Sequence, residues 1–316
     1  MSLSELFNLP PENIIKPVIN DVLGNAINVY LANLSGNFKE SDTFRCSGIS
    51  FLCPRQNFFQ FYNPKEFKFQ PKIKLKTQLG TLLHKYIQDK VLGPAGILKG
   101  IYKNIETKEE IEGFHPEPEK SEYWEYKEYT LHDNRYNLSG HIDGLISIER
   151  LNFIEQNKNL YKNHFHQVNK EISKIETKDF YLLDIKSLGQ RNYNLSLTGD
   201  VPDYYKTQAN LYLDILNLTK MYFLNFETEN FSFFGKIYNK EQRYVDDAHK
   251  KIIATNNQFL VGEPTHEYRA CTSEKDKRAK ECPHREVCFN YKVNYKDLIE
   301  KSPNKHSGIK LPILDG

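Results

Sequence analysis

The sequence predicts an α/β core with helical additions at both ends. Three observations carry this. Segments with period-2 alternation or short apolar runs (123–131, 138–148, 180–186, 220–227, 231–238) are interspersed with segments of helical periodicity (79–87, 202–217, 241–260). The 316 residues give room for one large domain or two ordinary ones, with a core that needs no disulfide staple. Hydrophobic residues are 39% and charged residues 27%, the balance of a globular chain rather than a disordered or membrane-inserted one.

The elements follow in order. Ile14, Ile15, Val18, Ile19, Val22 and Leu23 recur at helical spacing, so residues 11–33 are expected to be helical. A short helix is expected over 46–61, interrupted early by Pro54. Residues 64–76 alternate charge with apolar groups and carry five lysines, which reads as a loop or an edge segment. Leu79, Leu82, Leu83, Tyr86 and Ile87 then form the apolar stripe of an amphipathic helix. Residues 94–120, rich in Gly, Pro, Lys and Glu, read as loop. Two alternating strands follow, 123–131 and 138–148, the second with Leu138, Ile142, Ile146 and Ile148 on one face. Residues 150–178 are rich in Asn, Lys and Glu and read as a polar insertion between core strands. After the strand at 180–186 come the helix at 202–217, two strands and the helix at 241–260. Three parts are expected: a helical region over 1–60, a core over 61–265, and a cysteine-bearing region with a Lys- and Pro-containing tail over 266–316.

Charge and targeting signals exclude little and suggest a compartment. Lys+Arg 43 against Asp+Glu 41 leaves a net charge of +2, so bulk electrostatics alone do not mark a nucleic-acid partner. No run approaches the roughly 18 apolar residues that span a bilayer, so no membrane partner is expected. The first thirteen residues carry no basic region followed by an apolar run, and an odd count of five cysteines makes a poor disulfide framework. The expectation is a cytoplasmic protein whose thiols are reduced, free or metal-bound.

The chemistry-bearing residues lie in four short segments. In Phe180-Tyr181-Leu182-Leu183-Asp184-Ile185-Lys186, strand alternation puts Asp184 and Lys186 on one face at the end of a buried strand. Alone, that is an ion pair, since burying either charge unpaired costs several kcal/mol. In Ser139-Gly140-His141-Ile142-Asp143-Gly144 a second carboxylate sits in an apolar alternating run, with glycines on both sides that admit a close approach. Two carboxylates on adjacent strands facing one cleft make a hard oxygen site suited to Mg²⁺ or Mn²⁺. His84 lies at the edge of the apolar stripe of its helix, with Gln88 one turn on. Gln208 shares a helical stripe with Tyr204, Leu211, Tyr212 and Ile215, an amide on an otherwise apolar face.

The order Gly-x-x-x-His, Gly-x-x-Asp, Asp-x-Lys, Gln-x-x-x-Tyr resembles the RecB-type branch of the PD-(D/E)XK nuclease superfamily, over roughly residues 45–290. The resemblance implies a restriction-endonuclease-like core, a mixed central sheet flanked by helices, and a metal-dependent DNA exonuclease acting on single-stranded ends, in recombination, repair, phage replication or CRISPR adaptation. It implies that His84, Asp143 and Asp184 hold Mg²⁺ or Mn²⁺ with the Ile185 carbonyl. Lys186 would orient or activate the attacking water, and Gln208 and Tyr212 would support the site. Asp184 stands where many members have Glu, which the family pattern admits. Phosphodiester hydrolysis agrees with such a set, because metal, carboxylates and an ammonium supply the nucleophile and the charge stabilisation without a covalent nucleophile from the chain.

Cys271, Cys282 and Cys288 are spaced Cys-x10-Cys-x5-Cys, without the close pairs of common zinc sites. A fourth ligand would be Cys46 or Cys53, and a four-cysteine zinc site or free buried thiols are the competing readings. The segment Cys53-Pro54-Arg55 is similar to the N-terminal Cys-Pro-Arg segment of the iron–sulfur members of the same family, the CRISPR-associated RecB-like exonucleases and the AddB nuclease domain. That resemblance implies a [4Fe–4S] cluster on Cys53, Cys271, Cys282 and Cys288, with Cys46 left over. The expected partner is DNA, with protein partners in a recombination or CRISPR complex. The competing function class is a non-catalytic DNA-end-binding or adaptor subunit that keeps the cluster.

Overall fold

The computed structural model describes residues 43–65, 71–147, 180–198, 201–229, 232–290 and 293–304, the side chains of 71–74 excepted. The helix expected over 11–33 and the insertion expected over 150–178 lie outside them. In chain order the elements are β1 (Phe44–Arg45), α1 (Cys46–Ile49), α2 (Pro54–Tyr62) and α3 (Pro71–Tyr86), which runs into a π-helical turn over Ile87–Leu92. Then come β2 (Leu98–Asn104), β3 (Glu110–Phe114), β4 (Trp124–Lys127), β5 (Tyr129–Asp133), β6 (Leu138–Ile142), β7 (Gly144–Ser147) and β8 (Phe180–Leu188). The remainder is α4 (Gln190–Leu197), α5 (Asp203–Ile215), β9 (Lys220–Glu227), β10 (Phe233–Asn239), α6 (Gln242–Val261), α7 (Lys277–Glu281), α8 (Arg285–Phe289) and α9 (Tyr295–Glu300).

Two compact units divide these residues. The unit that includes Lys65–Leu83 shows, among described residues, the body of α3, where Thr81 Oγ1 donates to the Thr77 carbonyl at 3.1 Å. The other unit, Ser41–Pro64 with His84–Gly316, contains every strand described.

In that second unit the large sheet has the order β10-β9-β8-β7-β2-β3, with β4 also paired to β2. It is mixed: β8 and β9 are parallel, and the other pairs are antiparallel. β8 is central because Tyr181, Leu182, Leu183, Asp184 and Ile185 are all buried, as an unbroken apolar run covered on both faces requires. A parallel neighbour needs a crossover, and α4 and α5 supply it between β8 and β9. A smaller sheet has the order β1-β6-β5. The core between α5, α6 and the strands gathers Leu182, Leu211, Leu213, Phe223, Ala248 and Ile252.

The α/β architecture is thus the expected one, a mixed sheet flanked by helices. Strands at 180–188, 220–227 and 233–239 and helices at 203–215 and 242–261 lie where the sequence places them. Three expectations change. Residues 98–104 and 110–114, expected as loop, are β2 and β3, because their pairing with β4 and β7 outweighs a composition poor in strand formers. Residues 71–76 begin α3, where Pro71 occupies a helix start that needs no amide hydrogen. Pro54 likewise starts α2 rather than interrupting one helix. The expected single strands 123–131 and 138–148 are each broken, at Glu128 and at Asp143, where the chain passes between the small and the large sheet. Gly144 makes the second break possible: its φ of 152° is in the region favouring glycine, and a Cβ there would lie 2.4 Å from Leu98 Cδ1.

Candidate functional site

The two breaks and the central strand put three carboxylates in a row. Tyr129 pairs with Ile142, which sets Glu128 opposite Asp143. Gly144 pairs with Leu183, which sets Asp143 opposite Asp184. His84 arrives from the last turn of α3, and its Nδ1 lies 3.2 Å from Asp143 Oδ1. Among the described residues, His84, Glu128 and Asp143 form the one group of three or more metal-ligating side chains whose ligand atoms all lie within 4.8 Å of one another.

The neighbouring backbone and amides fix this trio. The other oxygen of Asp143, Oδ2, accepts from the Ile185 amide at 2.5 Å, which ties the carboxylate to the central strand. The π-helical turn after α3 widens the helix and presents Gln88 and Asp89, both buried. Gln88 Nε2 donates to Glu128 Oε1 at 3.2 Å and to the Asp143 carbonyl at 2.9 Å. Asp89 Oδ1 accepts from the Tyr126 amide at 2.7 Å, holding the end of β4 beside the turn.

Asp184, buried, and Lys186, half-buried, stand next to the trio as a pair, Nζ to Oδ1 2.7 Å. Lys186 Nζ also donates to Gln208 Oε1 at 3.3 Å, and Gln208 Nε2 to the Tyr212 hydroxyl at 3.2 Å. The amide on the apolar face of α5 therefore bridges Lys186 and a buried tyrosine. Gly140 lets that tyrosine in, since a Cβ there would lie 2.4 Å from Tyr212 Cε1. Of the sequence-derived residues, His84 and Asp143 are in direct contact, Lys186 links Asp184 to Gln208 and Tyr212, and Ile185 binds Asp143 through its amide.

The charges are crowded. Burial raises the Asp184 carboxyl above its ordinary value and Asp143 adds to this, with Lys186 opposing. Burial works against the Lys186 charge, but Asp184 and Asp143 outweigh it and hold the ammonium high. His84 is also held above its ordinary value: burial opposes its charge, and the hydrogen bond and charge of Asp143 prevail. Glu128 is raised by burial and by Asp143. Asp184 Oδ2 is buried, with no hydrogen-bond partner among the described residues. An orphaned carboxylate oxygen beside two further carboxylates and an imidazole is the donor set of a hard divalent cation, so these residues fit one.

Glu128 was not legible as a site residue. A faint signal exists in retrospect: it falls in phase with the buried Trp124 and Tyr126, so a carboxylate follows two inward-facing aromatics.

The cysteines are gathered elsewhere in the same unit. Cys53, Cys271, Cys282 and Cys288 line one small cavity with Arg278 and His284. None is in a disulfide. Burial raises Cys271 and Cys282, and the neighbouring thiols of the cavity add to it. No three of these sulfurs lie within 4.8 Å of one another. Cys46 is not among the lining residues; burial pushes its thiol up to about 12, and it stays protonated in the core beneath the small sheet. Arg55, buried, donates to Cys288 through Nε at 3.3 Å from Sγ and through Nη2 at 2.9 Å from the carbonyl.

No helix among the described residues is long and apolar enough to cross a membrane. No protein-family model and no curated protein matches the sequence. Among solved structures, the chain is similar to an alkaline exonuclease (LHK-Exo) from Laribacter hongkongensis, at 10% identity and a TM-score of 0.37, covering 70% of this chain and 89% of that one. The same enzyme in complex with dAMP gives a TM-score of 0.39 at 10% identity, with the same coverage. The protein SSO0001 gives 0.38 at 13% identity, covering 83% of this chain and 94% of that one.

Proposed function

We propose that this chain is a divalent-metal-dependent DNA exonuclease that hydrolyses phosphodiester bonds at single-stranded ends. The observation that carries the reading is the Asp184–Lys186 pair at 2.7 Å, with Asp143 opposite Asp184 at the break before β7. His84, Glu128, Asp143 and Asp184, with the Ile185 carbonyl, would hold Mg²⁺ or Mn²⁺. A divalent cation, when bound, lowers the pKa of water and polarises a phosphoryl oxygen.

The chain's own residues do the rest. Lys186 hydrogen-bonds the attacking water and neutralises charge that develops on a non-bridging oxygen. Gln208 fixes the direction of Lys186 Nζ, and the Tyr212 hydroxyl fixes Gln208. Asp184 keeps the ammonium charged within hydrogen-bond distance. Digestion of an end-labelled single-stranded oligonucleotide with Mn²⁺ tests this. Loss of cleavage with EDTA, in Asp143→Ala and in Lys186→Ala is expected, and full activity in Lys186→Ala would sink it.

The cavity at Cys53, Cys271, Cys282 and Cys288 is read as the seat of a [4Fe–4S] cluster, whose ligands come from distant parts of the sequence so that binding is coupled to folding. Visible absorbance of anaerobically purified protein tests it. Cys53→Ser should bleach the protein and Cys46→Ser should not; a colourless wild type containing one zinc would reject the cluster and leave the nuclease reading standing.

A further inference from the structure

We propose that Phe51, Tyr204 and Tyr205 form a stacking platform for the unpaired bases of single-stranded DNA, ending at Lys186. The proposal rests on the nuclease reading and adds the element that selects the strand. Phe51 follows α1 and is 54% exposed. Its centroid lies 5.1 Å from Tyr204, tilted by 40°. Tyr204 lies 4.2 Å from Tyr205, tilted by 54°. Lys186 Nζ lies 4.9 Å from the centre of the Tyr205 ring. Three rings thus run without interruption from solvent to the lysine placed at the scissile phosphate.

The tyrosines open α5 and are only half-buried, so a strand lying along them reaches Gln208 one turn further on. Charge at the outer end also suits a nucleic acid. The Arg278 guanidinium donates to the Phe51 carbonyl, and Lys251 Nζ donates to the Ser50 carbonyl at 3.3 Å. Two cations therefore flank the loop that carries the exposed ring, where the phosphates of a stacked strand would pass. Every base offers a π-face, so such a platform is sequence-tolerant. In a duplex those faces are occupied by the neighbouring base pairs, and the platform favours unpaired ends.

Fluorescence anisotropy of a labelled oligothymidine, and of a blunt duplex of equal length, tests the platform in EDTA, where nothing is cut. Phe51→Ala should raise the Kd for the single strand roughly tenfold, Phe51→Trp should restore it, and duplex binding should not change. Tyr204→Leu, on a different element, should act as Phe51→Ala does and guards against a local folding defect beside Cys53. Unchanged single-strand affinity in both variants, an equal loss for duplex, or no rescue by tryptophan would overturn the proposal. Digestion by the wild type with Mn²⁺ is read separately. Ring-dependent binding without cleavage would reject the nuclease reading and leave the platform.

Discussion

Arg55 grips Cys288 at two points, its Nε 3.3 Å from Sγ and its Nη2 2.9 Å from the carbonyl oxygen. The same guanidinium donates through Nη1 to the carbonyls of Pro264 and Thr265 and lies 5.7 Å from the Phe59 ring centre. One buried side chain thus ties the start of α2 to the segment that carries the last three cysteines. Arg55→Met leaves these carbonyls without their donor, at a cost of about 3 kcal/mol in unfolding free energy. Urea denaturation checks this, with Arg55→Lys expected to fall between the two, because a single ammonium reproduces fewer of the contacts.

Gln88 positions the candidate metal site without being one of its charged members. Its amide spaces Glu128 from the Asp143 backbone. Gln88→Leu should lower Mn²⁺ affinity by roughly 10–100-fold, as outer ligand partners generally do when removed. Titration followed by electron paramagnetic resonance measures it, and unchanged affinity would mean that Glu128 needs no positioning.

His84 makes the site pH-dependent in a defined direction. Its folded-state pKa is raised above the ordinary 6.5 because the contact with Asp143 outweighs burial. In metal-free protein its contribution to stability is therefore complete below 6.5 and lost as pH rises through the higher folded value. The stability advantage of wild type over His84→Gln should be greatest in acid and vanish in alkali, in urea titrations between about pH 5 and 9. Mn²⁺ binding should show the opposite slope, strengthening as His84 loses its proton.

Gly144 is the hinge on which Asp143 turns between sheets. A β-carbon at φ 152° is strained, and it would meet Leu98 Cδ1 at 2.4 Å and the Tyr126 hydroxyl at 2.7 Å. Gly144→Ala should cost about 2–4 kcal/mol and weaken metal binding together with stability, since Asp143 is the adjoining residue. Thermal unfolding and the same Mn²⁺ titration measure both.

The sequence alone determined the parts of the site carried by local periodicity. The apolar run of β8 fixes Asp184 and Lys186 on one face, because strand side chains alternate whatever lies around them. The amphipathic pattern of α5 sets Gln208 and Tyr212 one turn apart on the same side. Tertiary structure decided the rest. Glu128 joins His84 and Asp143 only because β5 and β6 pair in a register that sets it opposite Asp143, and one sequence carries no sign of that register. β2 and β3 are strands because β4 and β7 pair with them, against a composition that favours loop. Cys53 rather than Cys46 meets the C-terminal cysteines because α2 docks through Arg55 on α8, while α1 turns Cys46 into the core. Contacts between segments far apart in the chain leave no period in the sequence, and each was settled by packing.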